Sequence, residues 1–184
     1  MSTTDKKHGF IPVKHLTGGA IRSREYHVDS SNTPGIFIGD LVMIESDGNI
    51  AAATAAIGLP AIGVAVGVKD ANRKPIAAGY LAASTEGYVD VVDDPYVVFR
   101  VQEDGAGTSL FGDTTGIGAT ADHVAGTGST STGISGHTLN SDSTDAQLKV
   151  IGLYETSDNA WADTYTEILV LINEHHYKAA VAGV

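Results

Sequence analysis

The chain has 184 residues, a formal net charge of −11 and no cysteine, so it can form one sizeable core but no disulfide or thiolate site. The acidic balance argues against nucleic acid as a partner, because nucleic-acid-binding proteins neutralise phosphates with Lys and Arg. No run of about 18 apolar residues and no apolar secretory segment is present, which argues against a membrane partner.

The first 19 residues are predicted to form an extended, basic N-terminal arm, because they contain little core-forming pattern and end in Gly18-Gly19. No Lys or Arg occurs between Arg100 and Lys149, so basic charge is concentrated at the N-terminus. A flexible, solvated tail and an arm that docks on an acidic partner both fit this composition. The candidate partner-binding residues are Lys6, Lys7, Phe10, Lys14, Arg22 and Arg24.

Residues 20–178 are predicted to form a single β-rich domain, followed by a C-terminal tail at 179–184. A first strand is expected at 21–28, and Asp47-Gly48 predicts a hairpin within 36–54. Further strands are expected at 62–68, 87–104, 147–154 and 167–173, with a corner at 93–95.

The corner contains Pro95, which fixes its own φ and disfavours helix at the residue before it. After the corner, Val97, Phe99 and Val101 lie on one face, and the other face carries Val98, Arg100 and Gln102. That period of two predicts a strand with one buried face.

In residues 62–68 the sequence places Ile62, Val64, Val66 and Val68 on one face of a strand. The opposite face carries Gly63, Ala65 and Gly67, whose small size lets another strand or chain approach closely. These three residues and Trp161 are candidate subunit-packing residues. Trp161 is also predicted to fold back as a lid over the edge of the domain.

Residues 105–146 form a long insertion rich in Gly, Ser and Thr. Ordered but irregular structure with short strands near 123–125 and 134–139 is the favoured interpretation, and disorder is the alternative. The strand at 167–173 has apolar residues on both faces, which indicates a central or doubly covered strand. No long amphipathic helix is apparent, so the predicted fold class is all-β, a small barrel or sandwich.

Candidate chemistry is sparse. Glu174, His175 and His176 are consecutive and lack the i, i+4 spacing of a zinc helix. A metal-dependent hydrolase using Asp122, His123 and His137 is the enzyme hypothesis, but no motif supports it. Acidic pairs near 93–94 and 103–104 could ligate calcium, although a charged sheet rim explains them better. No catalytic, cofactor-binding or metal-ligating residue is therefore assigned, and the chain is expected not to be an enzyme.

Three stretches follow one another along the chain: GDLVMIESDGNIAAAT, PAIGVAVGV and YVDVVDDPYVVFRVQED. Together they resemble the small β-rich decoration, or cement, proteins of tailed-bacteriophage heads. The later stretch LKVIGLYETSDNAWADTYTEILVLIN is similar to sequences of phage structural proteins. The resemblance covers roughly residues 35–104 and 148–173, and the basic arm and long insertion lie outside it.

The resemblance implies a binding role. Such proteins lie on the outer capsid surface, often as trimers at three-fold or quasi-three-fold positions, and clamp neighbouring subunits after shell expansion. For this chain it implies the major capsid protein as partner, a homo-oligomer with a homotrimer favoured, no cofactor, and a location on the virion surface after synthesis in the host cytoplasm. The alternative is another virion or surface β-domain, such as a tail- or fibre-associated domain that binds a receptor or glycan.

Overall fold

The computed structural model describes residues 4–54, 59–105, 116–140 and 145–178. These residues form thirteen β-strands and no α-helix. The strands are β1 (Ile11–His15), β2 (Arg24–Val28), β3 (Ile36–Phe37), β4 (Leu41–Ile44), β5 (Ile50–Ala52), β6 (Ala61–Asp70), β7 (Tyr80–Leu81), β8 (Gly87–Val92), β9 (Val97–Gln102), β10 (Thr120–Val124), β11 (Thr138–Asn140), β12 (Leu148–Leu153) and β13 (Glu167–Ile172). None of the described residues belongs to a helix that could cross a membrane.

The strands assemble into two large antiparallel sheets that pack as a sandwich. The six-stranded sheet has the order β1-β9-β13-β12-β10-β11, and the five-stranded sheet has the order β2-β8-β6-β4-β5. A two-stranded sheet, β3-β7, accompanies them. The predicted all-β class is confirmed, with an open sandwich as its form.

The first core cluster lies between the two large sheets. On β9 its members are Val97, Phe99 and Val101, as the alternation predicts. The neighbouring strand β13, which lies between β9 and β12, contributes residues at every second position. The five-stranded sheet contributes Leu41 and Val64, among others. The prediction of a central strand near the C-terminus is therefore confirmed.

A second core cluster brings β3 and β7 together with the five-stranded sheet. Ile36 of β3 and Leu81 of β7 pack in this cluster with Val42, Val89 and Val91 of the sheet. The five-stranded sheet thus contributes buried residues to two cores, which explains its nearly continuous apolar strands.

Strand β6 departs from the predicted alternation. Ile62 and Val68 pack in the second core, whereas Val64 and, in part, Val66 pack in the first. The pairing register skips Ile62 against β4 and Val66 against β8, so a β-bulge lies at each position. Each bulge changes which side chains face which core, and the expectation of one shared face is wrong.

The N-terminal segment is part of the sandwich and not a free arm over its described residues. Phe10 is only 1% exposed and belongs to the first core. Strand β1 pairs antiparallel with β9, and the Nε2 atom of His8 lies 3.0 Å from the Oε1 atom of Glu167. Residues 8–15 therefore belong to the folded domain, and the division predicted at residue 19 is corrected.

The long insertion contains two strands among its described residues. β10 pairs with β12 and β11 pairs with β10, which extends the six-stranded sheet. A parallel bridge joins Ile134 to Ile38, and the Ser135 amide donates to the Ile38 carbonyl at 2.9 Å. The expectation of short strands supported by neighbours is confirmed for 116–140. The rest of the insertion, residues 106–115 and 141–144, and the tail at 179–184 lie outside the described residues.

Candidate functional site

A buried polar cluster lies where the turn before β4 meets the insertion. Asp40 follows Gly39 in that turn, and its Oδ2 atom accepts a hydrogen bond of 2.8 Å from the Phe37 amide. Burial raises the pKa of Asp40 to about 6, although hydrogen bonds from Ser135 and Phe37 act in the opposite direction. The ionised carboxylate is therefore held at a cost in free energy.

His137 joins this cluster from the insertion. Its Nδ1 atom accepts a hydrogen bond of 3.2 Å from the Leu41 amide, which fixes Nδ1 as the unprotonated nitrogen. The Nε2–H group of His137 then faces the Oδ1 atom of Asp40 at 3.4 Å. Burial lowers the pKa of His137 to about 4, so the imidazole is neutral at physiological pH.

His123 of β10 completes the cluster. Its Nε2 atom lies 2.8 Å from Nδ1 of His137 and must be the donor, because Nδ1 already accepts from a backbone amide. The remaining nitrogen of His123, Nδ1, is buried and has no hydrogen-bond partner among the described residues. Burial, with the nearby His137, lowers the pKa of His123 well below its usual value. Three of the four ring nitrogens thus contact the other histidine, Asp40 or the backbone. The fourth, Nδ1 of His123, is buried away from solvent.

The enzyme hypothesis placed Asp122 with these two histidines, and the structure separates it from them. The Oδ1 atom of Asp122 accepts from the Asp145 amide at 3.0 Å and from the Ala146 amide at 2.6 Å, so Asp122 fixes the start of the return to β12. Within the described ranges, no set of three or more His, Asp or Glu side chains is placed to hold a metal ion. His175 also departs from a ligand role, since it is buried and its Nδ1 atom accepts from the Tyr177 amide.

Two clefts open on the described surface. A cleft of about 160 Å³ lies beside the buried cluster and is lined by Phe37, Asp40 and His137 together with small residues. A groove of about 250 Å³ lies beside the N-terminal segment and includes Lys6, Arg100 and Tyr154. These volumes admit a small molecule or a peptide side chain.

Charges in the larger groove are paired within the chain. The Nε atom of Arg100 lies 3.1 Å from Oε2 of Glu167, and its guanidinium carbon lies 4.6 Å from the ring centre of Tyr154. Burial acts to raise the pKa of Glu167, but His8 and Arg100 outweigh it and the pKa is lowered. The other charged side chains of the groove, Lys6 and Asp158, are exposed and form no ion pair with any described residue.

The predicted partner-binding residues divide into two groups. Lys6, Lys7, Lys14, Arg22 and Arg24 are exposed, as a contact role requires. Phe10 is buried and is corrected from a partner contact to a core residue, because its ring packs beside that of His123 at 5.9 Å.

The predicted subunit-packing residues lie within the chain's own structure. A Cβ atom added at Gly63 would be 2.1 Å from the Val92 carbonyl oxygen, and Ala65 belongs to the second core. Gly67 faces the Asp90 side chain. Gly63 and Ala65 are therefore buried within the chain and are not free for another subunit, whereas Gly67 is partly exposed. Trp161 is partly buried and packs against the first core.

Sequence reasoning missed Asp40 as a buried ionisable residue and Tyr96 and Tyr177 as exposed aromatic residues. The signal for Asp40 was its place between glycine and a strongly apolar strand, where a carboxylate usually caps a turn. Comparison of the chain with protein-family models, curated proteins and solved structures finds no match.

Proposed function

We propose that the chain is a structural protein of a tailed-bacteriophage virion. In this proposal it binds the outside of the expanded head as a homo-oligomer, with a homotrimer favoured, and clamps neighbouring subunits of the major capsid protein. Its place in the mature particle is the capsid surface, and it has no catalytic role.

The resemblance to decoration proteins supports the proposal, because the resembling stretches form the centre of the sandwich. GDLVMIESDGNIAAAT supplies β4 and β5, and PAIGVAVGV supplies most of β6. YVDVVDDPYVVFRVQED supplies β9 and most of β8, which lie in different sheets. The resemblance thus spans both layers of the fold.

The observation that carries the proposal is the distribution of ionisable groups. Buried ones, such as Asp40, His123 and His137, lie against one another. Of the seven exposed Lys and Arg residues among those described, five lie within the first 24 positions of an acidic chain. An arrangement of this kind suits attachment to another surface. Symmetric repetition on a shell would then raise the total affinity through multivalency.

Co-sedimentation tests this function. Purified protein is mixed with empty expanded heads that lack it and, as a matched control, with unexpanded heads of the same phage. The proposal expects saturable binding to expanded heads and weaker binding to unexpanded ones. Binding to purified tails but not to heads would overturn the capsid role and favour a tail- or fibre-associated protein.

A further inference from the structure

Four exposed side chains surround the turn between β8 and β9. They are Leu16, Arg24, Tyr96 and Tyr177, and we refer to them as the tyrosine face. Leu16, Tyr96 and Tyr177 are 49%, 53% and 48% exposed, and the Arg24 side chain is 64% exposed. Exposed apolar and aromatic side chains that lie together mark an interaction surface more reliably than scattered ones.

Direct contacts hold the first pair of these residues together. The Leu16 amide donates to the Tyr96 carbonyl oxygen at 2.8 Å. The preceding residue, His15, places Nε2 at 3.1 Å from Oδ2 of Asp94, and its ring centre lies 6.4 Å from that of Tyr96. Leu16 and Tyr96 are thus fixed side by side at one flank of the turn.

The second pair is fixed through Asp93 in the same turn. The hydroxyl of Tyr26 donates to Oδ2 of Asp93 at 2.7 Å and lies 2.9 Å from the hydroxyl of Tyr177. Arg24 places Nε at 3.4 Å from the same Asp93 oxygen and its guanidinium carbon 5.9 Å from the Tyr177 ring centre. Burial raises the pKa of Tyr26, with Tyr177 and Asp93 adding to it, so the hydroxyl stays protonated.

This network orders side chains that would otherwise lose rotamer freedom on binding. A surface ordered in advance loses less entropy when it associates, which favours affinity. Tyr and Arg are also the residue types most often found as energetic hot spots in protein interfaces. The tyrosine face therefore has both the composition and the order of a docking surface.

The charge around the face restricts its partner. Lys14 and Arg22 each lie two residues before a member of the face along the chain, are exposed and form no ion pair with any described residue. The carboxylates of the turn, Asp93 and Asp94, are occupied by Tyr26, Arg24 and His15. Arg24, Lys14 and Arg22 outnumber these two carboxylates by one charge, so the face is apolar at its centre and has a small excess of positive charge around it.

We infer that the tyrosine face docks on a folded protein surface with an apolar centre and a carboxylate rim. This inference rests on the proposed function, and within it the partner is the outer surface of the capsid protein. Strand addition at β1 is disfavoured by the pairing irregularity at residues 12–14 and by the exposed lysine on this edge.

The test compares head binding by the wild-type chain and by surface variants. Leu16→Asp and Tyr96→Asp each place a charge at the apolar centre, and Ile117→Asp is the matched control because Ile117 is 52% exposed beside β10, remote from β1 in the sheet order. Arg22→Glu reverses a rim charge, and Lys74→Glu is its control on the exposed loop after β6. Circular dichroism and thermal unfolding verify that each variant is folded, and light scattering reports the oligomeric state.

The inference expects Leu16→Asp and Tyr96→Asp to weaken binding to empty expanded heads at least about tenfold, with both controls close to wild type. Arg22→Glu should weaken binding and flatten its dependence on salt. Equal binding by wild type and face variants overturns the inference and leaves the proposed function standing. Loss of self-association in the face variants, with head binding retained, also overturns it, because the face would then be a contact between copies. A wild-type chain that does not bind heads overturns both proposals.

Discussion

The Nε2 atom of His123 lies 2.8 Å from the Nδ1 atom of His137, inside the sandwich and away from solvent. Both histidines belong to the insertion. His137 nevertheless accepts a hydrogen bond from the Leu41 amide and faces Asp40 of the turn before β4. His137 therefore ties the insertion to the five-stranded sheet.

The tautomer of His137 is predicted to carry its proton on Nε2. The Leu41 amide donates to Nδ1, so only Nε2 is left to donate toward Asp40. Imidazole nitrogen and proton chemical shifts measured by NMR at pH 7 distinguish the two neutral forms. A protonated Nδ1 would contradict the hydrogen-bond directions described above.

The protein is expected to lose stability in mild acid. Burial lowers the pKa of both His137 and His175 from 6.5 to about 4, so protonation favours the unfolded chain as pH falls from about 6.5 toward 4. His123 acts in the same direction. Asp40 acts in the opposite direction, because its raised pKa adds stability as pH falls below about 6.

On acidification, the stability lost through the buried histidines exceeds the stability gained through Asp40. The free energy of unfolding should fall by about 3 kcal/mol between pH 7 and pH 4.5, as measured by chemical denaturation. Replacing His137 with Gln should reduce this pH dependence even though it lowers stability at pH 7. A free energy of unfolding that stays level or rises down to pH 4.5 would show that the buried histidines are not held neutral.

The N-terminal segment is expected to be required for folding. Phe10 fills the first core and β1 completes an edge of the six-stranded sheet, so Phe10→Ala should cost about 3–5 kcal/mol of stability. Lys7→Ala, at an exposed position nearby, should change it by less than about 0.5 kcal/mol. Denaturant unfolding measures both, and deletion of residues 1–19 should leave no cooperative transition. Stable folding of the deleted chain would restore the interpretation of a free arm.

Local periodicity was sufficient to predict the strands that carry the first core. Val97, Phe99 and Val101 alternate along β9 and face the same cluster, because side-chain direction in a regular strand depends only on sequence position. The same rule failed on β6, where bulges at Ile62 and Val66 depend on how the neighbouring strands pair. The register of that pairing cannot be read from the sequence of a single strand.

Long-range contacts account for the other differences. Phe10 begins a short apolar run, FIPV, that does not alternate with polar residues, so no periodic pattern marked it as a core residue. Its core position follows from the pairing of β1 with β9. The buried cluster joins Leu41 to His137 across 96 positions of sequence. The histidines could be named as candidates from the sequence, but the residue that joins them is Asp40 and not Asp122.

A glycine pair tests how closely β6 and β8 pack. Gly63→Ala would place a Cβ atom 2.1 Å from the Val92 carbonyl oxygen and 2.8 Å from Cγ1 of Val91, and backbone atoms cannot move aside cheaply. We expect a loss of about 1–3 kcal/mol in the free energy of unfolding. Gly152→Ala in β12 is the matched control, since no atom of the residues that the structure describes lies within 4 Å of its added Cβ. Equal effects of the two substitutions would indicate that β6 and β8 are farther apart than described.

The capsid role is tested most directly by cryo-electron microscopy of empty expanded heads saturated with the purified protein. The account predicts added density on the outer surface at symmetric positions, into which the two-sheet body fits with the tyrosine face toward the shell. Heads whose reconstruction shows no added density at saturating protein would contradict the capsid role.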